Sequence, residues 1–161
     1  HDIERELLLL NKHFKPNLAL IYLLAFDKAF RNIYYYRVAP FDLLLNIICP
    51  RLSSLLIYTP LIGEGFAISH GMSSAIGAKS IGKNFTVFQQ VTIGAATSVG
   101  PPTILDNVTV YAGAVIIGNL TIGNNVIIGA NATVCKDVPD NCTVLPGTSR
   151  IMKWNRPSNS I

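Results

Sequence analysis

The sequence has little charge and few of the residue types that most often build reactive centres. Charged residues make up 14% of the 161 positions, and there are three histidines and three cysteines. The net charge of +4 forms no basic stripe, which argues against a nucleic-acid partner. Cys49, Cys135 and Cys142 form no CxxC pair, and their odd number predicts free, buried thiols in a reducing compartment. We therefore expect a cytoplasmic protein.

Long apolar runs are also missing. The longest uncharged apolar run near the start, residues 18–26, is far shorter than the roughly 20 residues that a membrane-spanning helix needs. The overall hydrophobic content is nevertheless 50%, enough to fill the core of one domain. These two features exclude a membrane-spanning segment in that run and favour a folded protein over a disordered one.

Residues 1–60 have the periodicity of helices. Apolar residues recur at helical spacing from Asp2 to about Leu56, and the prolines at positions 16, 40 and 50 separate three or four helical segments. Residues 41–62 are apolar on more than one face, which predicts a buried helix. A subunit interface and a surface that lies on lipid are the alternatives.

After Pro60 the period changes to six residues. An aliphatic residue recurs every sixth position and is followed by Gly or another small residue, while a second apolar or small residue precedes it by two positions. This pattern is typical of a parallel β-helix, in which three hexads make one turn. We predict a mainly β fold of about four coils over residues 61–145, with a C-terminal cap over 146–161. The first set of predicted inward residues is Ile62, Ile68, Ile81, Val87, Ile93, Ile104, Val110, Ile116, Ile122, Ile128 and Val134.

The hexad register turns His70 outward. It follows inward Ile68 by two positions, and the same register places Gln89, Ala112 and Ala130 in one column with it. Such a column would let a long, thin ligand lie along the stack with its reactive end at the imidazole. Histidine accepts protons near neutral pH and is therefore a candidate general base. An exposed histidine without any chemistry is the alternative.

Three stretches carry a family resemblance: "IGEGFAISHG", "KSIGKNFTVFQQVTIG" and "ILDNVTVYAGAVIIGNLTIGNNVIIGANATVCKDVPDN". They resemble the serine acetyltransferase branch of the hexapeptide-repeat acyltransferases and the related capsular and exopolysaccharide O-acetyltransferases. The resemblance covers residues 61–153. It implies a left-handed β-helix, a homotrimer, and transfer of acetyl from acetyl-CoA to a hydroxyl of L-serine or of a sugar, with no metal.

The resemblance also implies roles for individual residues. His70 matches the catalytic histidine, which takes the proton from the acceptor hydroxyl, and Gln89 matches a glutamine beside the site. Small residues along the column match the strip where the family's CoA lies. Two basic residues lie where they could contact the phosphates of CoA. These cofactor-binding candidates are Ala112, Gly113, Ala130, Lys136 and Arg150.

The sequence departs from the serine acetyltransferase pattern at two positions. Leu55 stands where the family has the aspartate that orients the histidine, and Pro101 stands where it has a second active-site histidine. Glu64 is the nearest upstream acid, on the neighbouring face of the prism. The departures favour a sugar acceptor over serine, and a degenerate, non-catalytic CoA-binding protein is the second alternative.

Two further alternatives concern metals and membranes. A zinc-dependent β-helix hydrase needs three clustered histidines, but two of the three histidines here lie in the helical region. The apolar helices fit an acceptor carried on a membrane lipid, with peripheral membrane contact, as well as they fit a trimer interface.

Overall fold

The computed structural model describes residues 1–39, 42–96 and 100–147. Four helices precede a series of short strands, as the sequence predicts. The helices are α1 (Asp2–Leu9), α2 (Pro16–Phe26), α3 (Lys28–Val38) and α4 (Asp42–Ile48). The strands are β1 (Leu55–Ile57), β2 (Ala67–Ile68), β3 (Ser74–Ile76), β4 (Ser80–Ile81), β5 (Thr86–Val87), β6 (Thr92–Gly94), β7 (Thr103–Ile104), β8 (Thr109–Val110), β9 (Val115–Ile117), β10 (Thr121–Ile122), β11 (Ile127–Ile128), β12 (Thr133–Val134) and β13 (Thr143–Val144).

The strands form a parallel β-helix with three faces. The faces have the orders β1-β3-β6-β9-β12, β10-β7-β4 and β13-β11-β8-β5-β2. Parallel bridges from Ile62 to Ile81 and from Ile122 to Val138 extend the middle face by one position at each end. The fold class is therefore confirmed. The β-helix has about five turns where the sequence analysis predicted about four, because β1 adds a strand before the predicted repeats and the Val138 bridge and β13 add two positions after them.

The interior matches the two predicted columns. Every predicted inward aliphatic residue is at most 7% exposed, and the residues two positions earlier are at most 5% exposed. Burial of one such side chain contributes roughly 1.5–3 kcal/mol, so the stacked columns are the main source of stability. The second column consists of Phe66, Phe85, Val91, Val108, Ala114, Leu120, Val126 and Ala132.

Helix α1 covers the open edge of the third face. Strand β2 is the edge strand: Ala67 N donates to Phe85 O in the next turn, whereas Ile68 N, and Gly65 N and Phe66 N just before the strand, point away from it. The Asp2 carboxylate accepts hydrogen bonds from Gly65 N and Phe66 N at 2.7 and 3.0 Å, and the Glu6 carboxyl accepts one from Ile68 N at 3.0 Å. These acids satisfy donors that an uncovered edge would leave open to another chain.

Helix α3 covers the other two faces. The Asn32 side chain donates to the carbonyls of Leu52 and Leu55, both at 3.0 Å, and accepts from Leu52 N at 2.8 Å. The Arg37 guanidinium donates to the carbonyls of Ile62 and Gly63. Each face of the first turn is thus closed by a polar side chain from a helix.

Two expectations for the N-terminal half and the cysteines are wrong. Residues 41–62 do not form one buried helix: they contain α4 and β1, and Ile47 and Ile48 are 74% and 79% exposed. The cysteines are free, but Cys135 is exposed and the other two are only partly buried. Within the described ranges, no helix is long and apolar enough to span a bilayer. Most of the predicted C-terminal cap, from residue 148 onward, lies outside the described residues.

One corner of the β-helix carries an asparagine ladder. Asn84, Asn107, Asn125 and Asn141 occupy equivalent positions and have φ between 55° and 59°, the left-handed region that asparagine tolerates better than most residues. Their side-chain amides are joined by hydrogen bonds of 2.9, 3.1 and 2.9 Å. The ladder therefore fixes the register of four successive turns.

Replacing Asn107 tests the ladder. Asn107→Ala removes two amide hydrogen bonds and places alanine, which tolerates the left-handed region less well than asparagine, at φ 58°, so we expect a loss of about 1–3 kcal/mol in the free energy of unfolding. Asn107→Gly removes the same bonds without the conformational cost and should lose less. Denaturant unfolding measures both variants, with exposed Asn119→Ala as control. Equal losses for Ala and Gly would contradict a role for the left-handed conformation.

Candidate active site at the His70 corner

The corner that carries His70 is longer than its equivalents. Strand pairing aligns Ile68 with Val87 and Ile76 with Ile93, so eight positions separate Ile68 from Ile76 where six separate Val87 from Ile93. The next segment, from Ile76 to Ile81, is one residue shorter than a regular hexad. The sequence therefore shows only the net excess of one residue between Ile68 and Ile81. The two added residues displace His70 from the regular course of the β-helix.

The backbone at this corner has an unusual conformation. His70, Gly71 and Ser73 have φ of 64°, 39° and 56°. A positive φ is uncommon for a histidine, and such conformations cluster at functional sites, where the surrounding structure holds them in place. The His70 side chain is exposed. The sequence predicts the outward direction, whereas the displaced backbone becomes visible only in the structure.

The predicted column is found only from Gln89 downward. Gly113 N donates to Gln89 O and Asn131 N to Ala112 O, but in the turn above Gln90 N donates to Met72 O, so Met72 and not His70 is the equivalent of Gln89. His70 belongs to the two-residue insertion at the same corner. The Gln89 side-chain oxygen is buried and has no hydrogen-bond partner among the described residues. Because a buried acceptor without a partner is costly, this oxygen can accept a hydrogen bond from a donor outside the described chain.

Below Gln89 the corner is lined by small residues. Gly113 has φ 71°, and a Cβ there would lie 2.3 Å from the Asn131 amide oxygen, so a larger residue does not fit without rearrangement. Ala112 is half-buried and Ala130 is exposed. Small side chains at these positions fit the close approach of a thin chain such as the pantetheine arm of CoA.

The two basic candidates do not join this column. Lys136 follows Val134, which pairs with Ile116, so it lies at a different corner of the prism from Ala130. Its side chain is exposed. Arg150 lies outside the described residues. Within the described part of one chain, Gln89 and the small residues share one column and His70 lies in the insertion at the same corner, whereas Lys136 lies at a different corner.

His70 opens onto a cleft between the β-helix and the helices. The cleft has a volume of about 430 Å³. Ser69, His70 and Met72 line one side, while Glu6, Asp27 and Lys28 come from the helical region, together with apolar side chains. Sequence reasoning missed both acids, because no local pattern relates residues 6 and 27 to residue 70.

Glu6 is the most strongly perturbed acid in this cleft. It is 1% exposed, and burial raises its pKa from 4.5 to about 8, although the hydrogen bond from Ile68 N opposes the shift. The charges of Asp27 and Asp2 raise the pKa further. Near neutral pH the carboxyl is therefore mainly protonated and presents an O–H group beside the histidine corner.

Glu64, the nearest acid upstream of His70 in the sequence, does not line the His70 cleft. Its carboxylate lies 3.0 Å from Lys83 Nζ and 3.4 Å from His1 Nε2. It lines a different cavity, beside Asp2 and Arg37. Leu55, at the position of the family aspartate, is a buried residue of β1. The acids nearest the histidine corner thus come from α1 and the start of α3.

Two neighbouring features were also missed or lie partly outside the structure. Phe88 and Tyr111 stack beside the column with ring centroids 4.8 Å apart. The ejected loop begins after β6, and an antiparallel bridge joins Ala96 to Gly100. Pro102 in this loop is buried, and residues 97–99 are outside the described part.

Across the described ranges there is no group of three or more His, Cys, Asp or Glu side chains that could hold a metal ion.

Comparisons with known proteins match this architecture. Residues 101–136 match the family model described as bacterial transferase hexapeptide (six repeats). The chain is 43% identical over 98 residues to a serine acetyltransferase of Bacillus pumilus, an alignment that covers 58% of this chain and 45% of that protein. The chain therefore spans about half the length of this relative.

Solved structures show the same likeness. Serine acetyltransferase 1 of Entamoeba histolytica, in complex with L-cysteine, is 27% identical with a TM-score of 0.64, covering 89% of this chain and 62% of that one. A serine acetyltransferase in complex with CoA is 25% identical with a TM-score of 0.65, covering 88% and 63%.

The repeat over residues 101–136 and the three-faced solenoid resemble those of the bacterial hexapeptide-repeat transferases. The relatives to which the chain is similar, in sequence and in structure, are serine acetyltransferases.

The pH dependence of stability tests the environment of Glu6. The folded chain retains a proton on Glu6 that the unfolded chain releases, so the free energy of unfolding falls as pH rises from 4.5 to about 8. Glu6→Gln keeps an acceptor for Ile68 N but cannot titrate. We expect its stability relative to wild type to rise through this window, by at most about 1.4 kcal/mol per pH unit.

Denaturant unfolding at several pH values measures this difference. Glu6→Ala is the matched control, because it also removes the titrating group but leaves Ile68 N without an acceptor and should be less stable than Glu6→Gln throughout. Parallel stability curves for wild type and Glu6→Gln would contradict the raised pKa.

Proposed function

We propose that the chain is an acetyl-CoA-dependent O-acetyltransferase in which His70 is the general base. The observation that carries the proposal is the displaced corner, which presents an exposed imidazole at the head of a strip of small residues and at the mouth of a cleft. Its similarity to serine acetyltransferases, one of them in complex with CoA, supports the same activity.

The chemistry needs one base and no enzyme nucleophile. The His70 imidazole removes the proton from the acceptor hydroxyl while the oxygen attacks the thioester carbonyl carbon. The tetrahedral adduct collapses, the C–S bond breaks, and the imidazolium returns the proton to the CoA sulfur. The products are an O-acetyl ester and CoA. The free oxygen of Gln89 accepts a hydrogen bond from the acceptor or from the imidazole, which fixes their relative orientation.

L-serine is the acceptor that the relatives favour, because the similar proteins are serine acetyltransferases. A specific observation favours a second candidate, the hydroxyl of a sugar. Leu55 and Pro101 replace residues that the serine apparatus uses, and Glu64, the alternative acid, is paired with Lys83 and His1. A degenerate, non-catalytic CoA-binding protein is excluded only if turnover depends on His70.

Thiol release from acetyl-CoA tests the base and the acceptor together. Assays with L-serine and with a panel of sugars compare wild type with His70→Ala, using His13→Ala as a histidine control outside the cleft. We expect His70→Ala to lower kcat by roughly 10²–10⁴-fold and His13→Ala to leave it unchanged. Gln89→Ala should lower kcat/KM by about tenfold, the value of one hydrogen bond.

The outcomes are distinct. CoA release with serine that disappears in His70→Ala identifies a serine acetyltransferase whose active site has fewer of the family's residues. CoA release only with sugars identifies a sugar O-acetyltransferase. Equal rates for wild type and His70→Ala would contradict the proposed base. CoA binding without release from any acceptor would favour the non-catalytic alternative.

The active assembly is proposed to be a homotrimer in the cytoplasm. Because Lys136 lies at a different corner from the small-residue strip, it could approach CoA bound to that strip only from a neighbouring subunit. We expect light scattering to show a trimer and the activity to disappear on dissociation. A fully active monomer would contradict this expectation.

A further inference from the structure

Helices α1 and α2 and their link expose a continuous set of apolar side chains. Leu8, Leu18, Ile21 and Phe26 are 68%, 57%, 64% and 75% exposed. Single exposed apolar residues are ordinary, but a cluster of large ones marks a surface that contacts something else. We call this set the apolar helical surface; its members are Leu8, Leu9, Leu10, Phe14, Leu18, Ile21, Tyr22 and Phe26.

Helix α2 is apolar on both sides. Ala19 and Leu23 are fully buried against the rest of the fold. Leu18 and Ile21 occupy the opposite side at helical spacing. The rings of Phe14, Tyr22 and Phe26 form a row with centroid separations of 4.9 and 5.2 Å. The core accounts for one side of the helix, and nothing in the described chain covers the other.

The charges around this surface are mainly positive, although the exposed Glu4 lies beside Leu8 and Lys12. Lys12, Lys15 and Lys28 are exposed at its margin, and His13 lies between the first two. Asp27 is the only acid between positions 8 and 28, and its carboxylate accepts the hydrogen bond from Phe30 N that begins α3. Aromatic and aliphatic side chains with lysines at their margin are the composition of segments that lie in the interface of an anionic membrane.

The apolar helical surface is continuous with the His70 cleft. Leu9, Leu10 and Phe26 line the cleft, and so does Lys28. A flat object that covered the surface would therefore lie across the cleft mouth. Helix α2 has 11 residues, too short to cross a bilayer, so it can only lie on one.

We propose that the apolar helical surface docks on an anionic lipid membrane and places the His70 cleft at the headgroup level. Resting on the proposed acetyl transfer, the inference adds that the acceptor hydroxyl belongs to a membrane-carried molecule. The charges favour a membrane over a second copy of the chain, because a symmetric contact would bring together three lysines from each copy and only two acids, Glu4 and Asp27, of which Asp27 already accepts from Phe30 N.

Vesicle co-sedimentation tests the docking without any catalytic step. The purified chain is mixed with vesicles of phosphatidylcholine alone or with added phosphatidylglycerol. We expect binding only with the anionic lipid, weakened by salt. Leu18→Asn combined with Ile21→Asn should lower the affinity at least tenfold. Lys12→Gln combined with Lys15→Gln should lower it roughly fivefold per lysine.

The matched control replaces equally exposed leucines on the β-helix. Leu61 and Leu145 are 68% and 74% exposed and lie outside the apolar helical surface, so Leu61→Asn combined with Leu145→Asn should bind as wild type does. Light scattering on every variant reports the oligomeric state. Unchanged binding in the α2 variant, equal loss in the control, or an α2 variant that changes the oligomer and not vesicle binding would each overturn the proposal.

A separate assay distinguishes failure of docking from failure of the proposed function. The α2 variant carries no change in the cleft, so its thiol release with a soluble acceptor should equal that of wild type. Vesicle binding with no activity on any acceptor would retain the docking surface and overturn the acetyltransferase. Activity on a soluble acceptor without vesicle binding would retain the acetyltransferase and overturn the docking surface.

Discussion

The structure depends on closing the open edge of its first turn. A parallel β-helix stacks each strand on the next, so the first turn has backbone groups with no strand to pair with. Here the acids of α1 accept from the free N–H groups of β2, and Asn32 and Arg37 of α3 donate to the carbonyls of the other faces. The helices therefore cover the first turn in two ways: their polar side chains pair with its free backbone groups, and their apolar side chains pack against the core. The repeating turns of the β-helix follow from this covered end.

The same closure determines the candidate site. Glu6 holds Ile68 N, and His70 follows two residues later at the displaced corner. Satisfying one edge N–H thus places a buried carboxyl in the lining of the cleft onto which His70 opens. The burial that makes this hydrogen bond effective also raises the pKa of Glu6 to about 8, so the carboxyl is held mainly as a neutral acid rather than as an ion. The same carboxyl, Glu6, therefore both pairs with the edge strand and determines the charge state on one side of the cleft.

The β-helix could be read from the sequence because its period is local. Each inward residue is specified by its own hexad, and the register then follows by counting, which is why Gln89, Ala112 and Ala130 could be aligned with one another. The count fails at His70, because the two residues inserted in that corner put Met72 at the position of Gln89. The first strand could not be read, because Leu55–Ile57 lies in an apolar stretch that has no hexad before it. The role of Glu6 was equally inaccessible, because its contact with Ile68 joins residues 62 positions apart through tertiary packing.

The site divides between two kinds of structure. Among the described residues, the contacts of the helices reach only the first two turns, with Arg5 donating to Thr86 as the farthest. The small-residue strip at Ala112 and Ala130 belongs to the third and fourth turns, which the helices do not touch. The proposed CoA strip is thus fixed by the repeat, whereas the walls of the cleft around His70 come from the helical cap. Changes in the helices can alter which acceptor enters the cleft without disturbing the strip, because the helices pack on the first turns and the strip lies in the third and fourth. The apolar rim of Leu9, Leu10 and Phe26 therefore bears on acceptor choice, while Gln89 and the residues below it bear on the chemistry common to every acceptor.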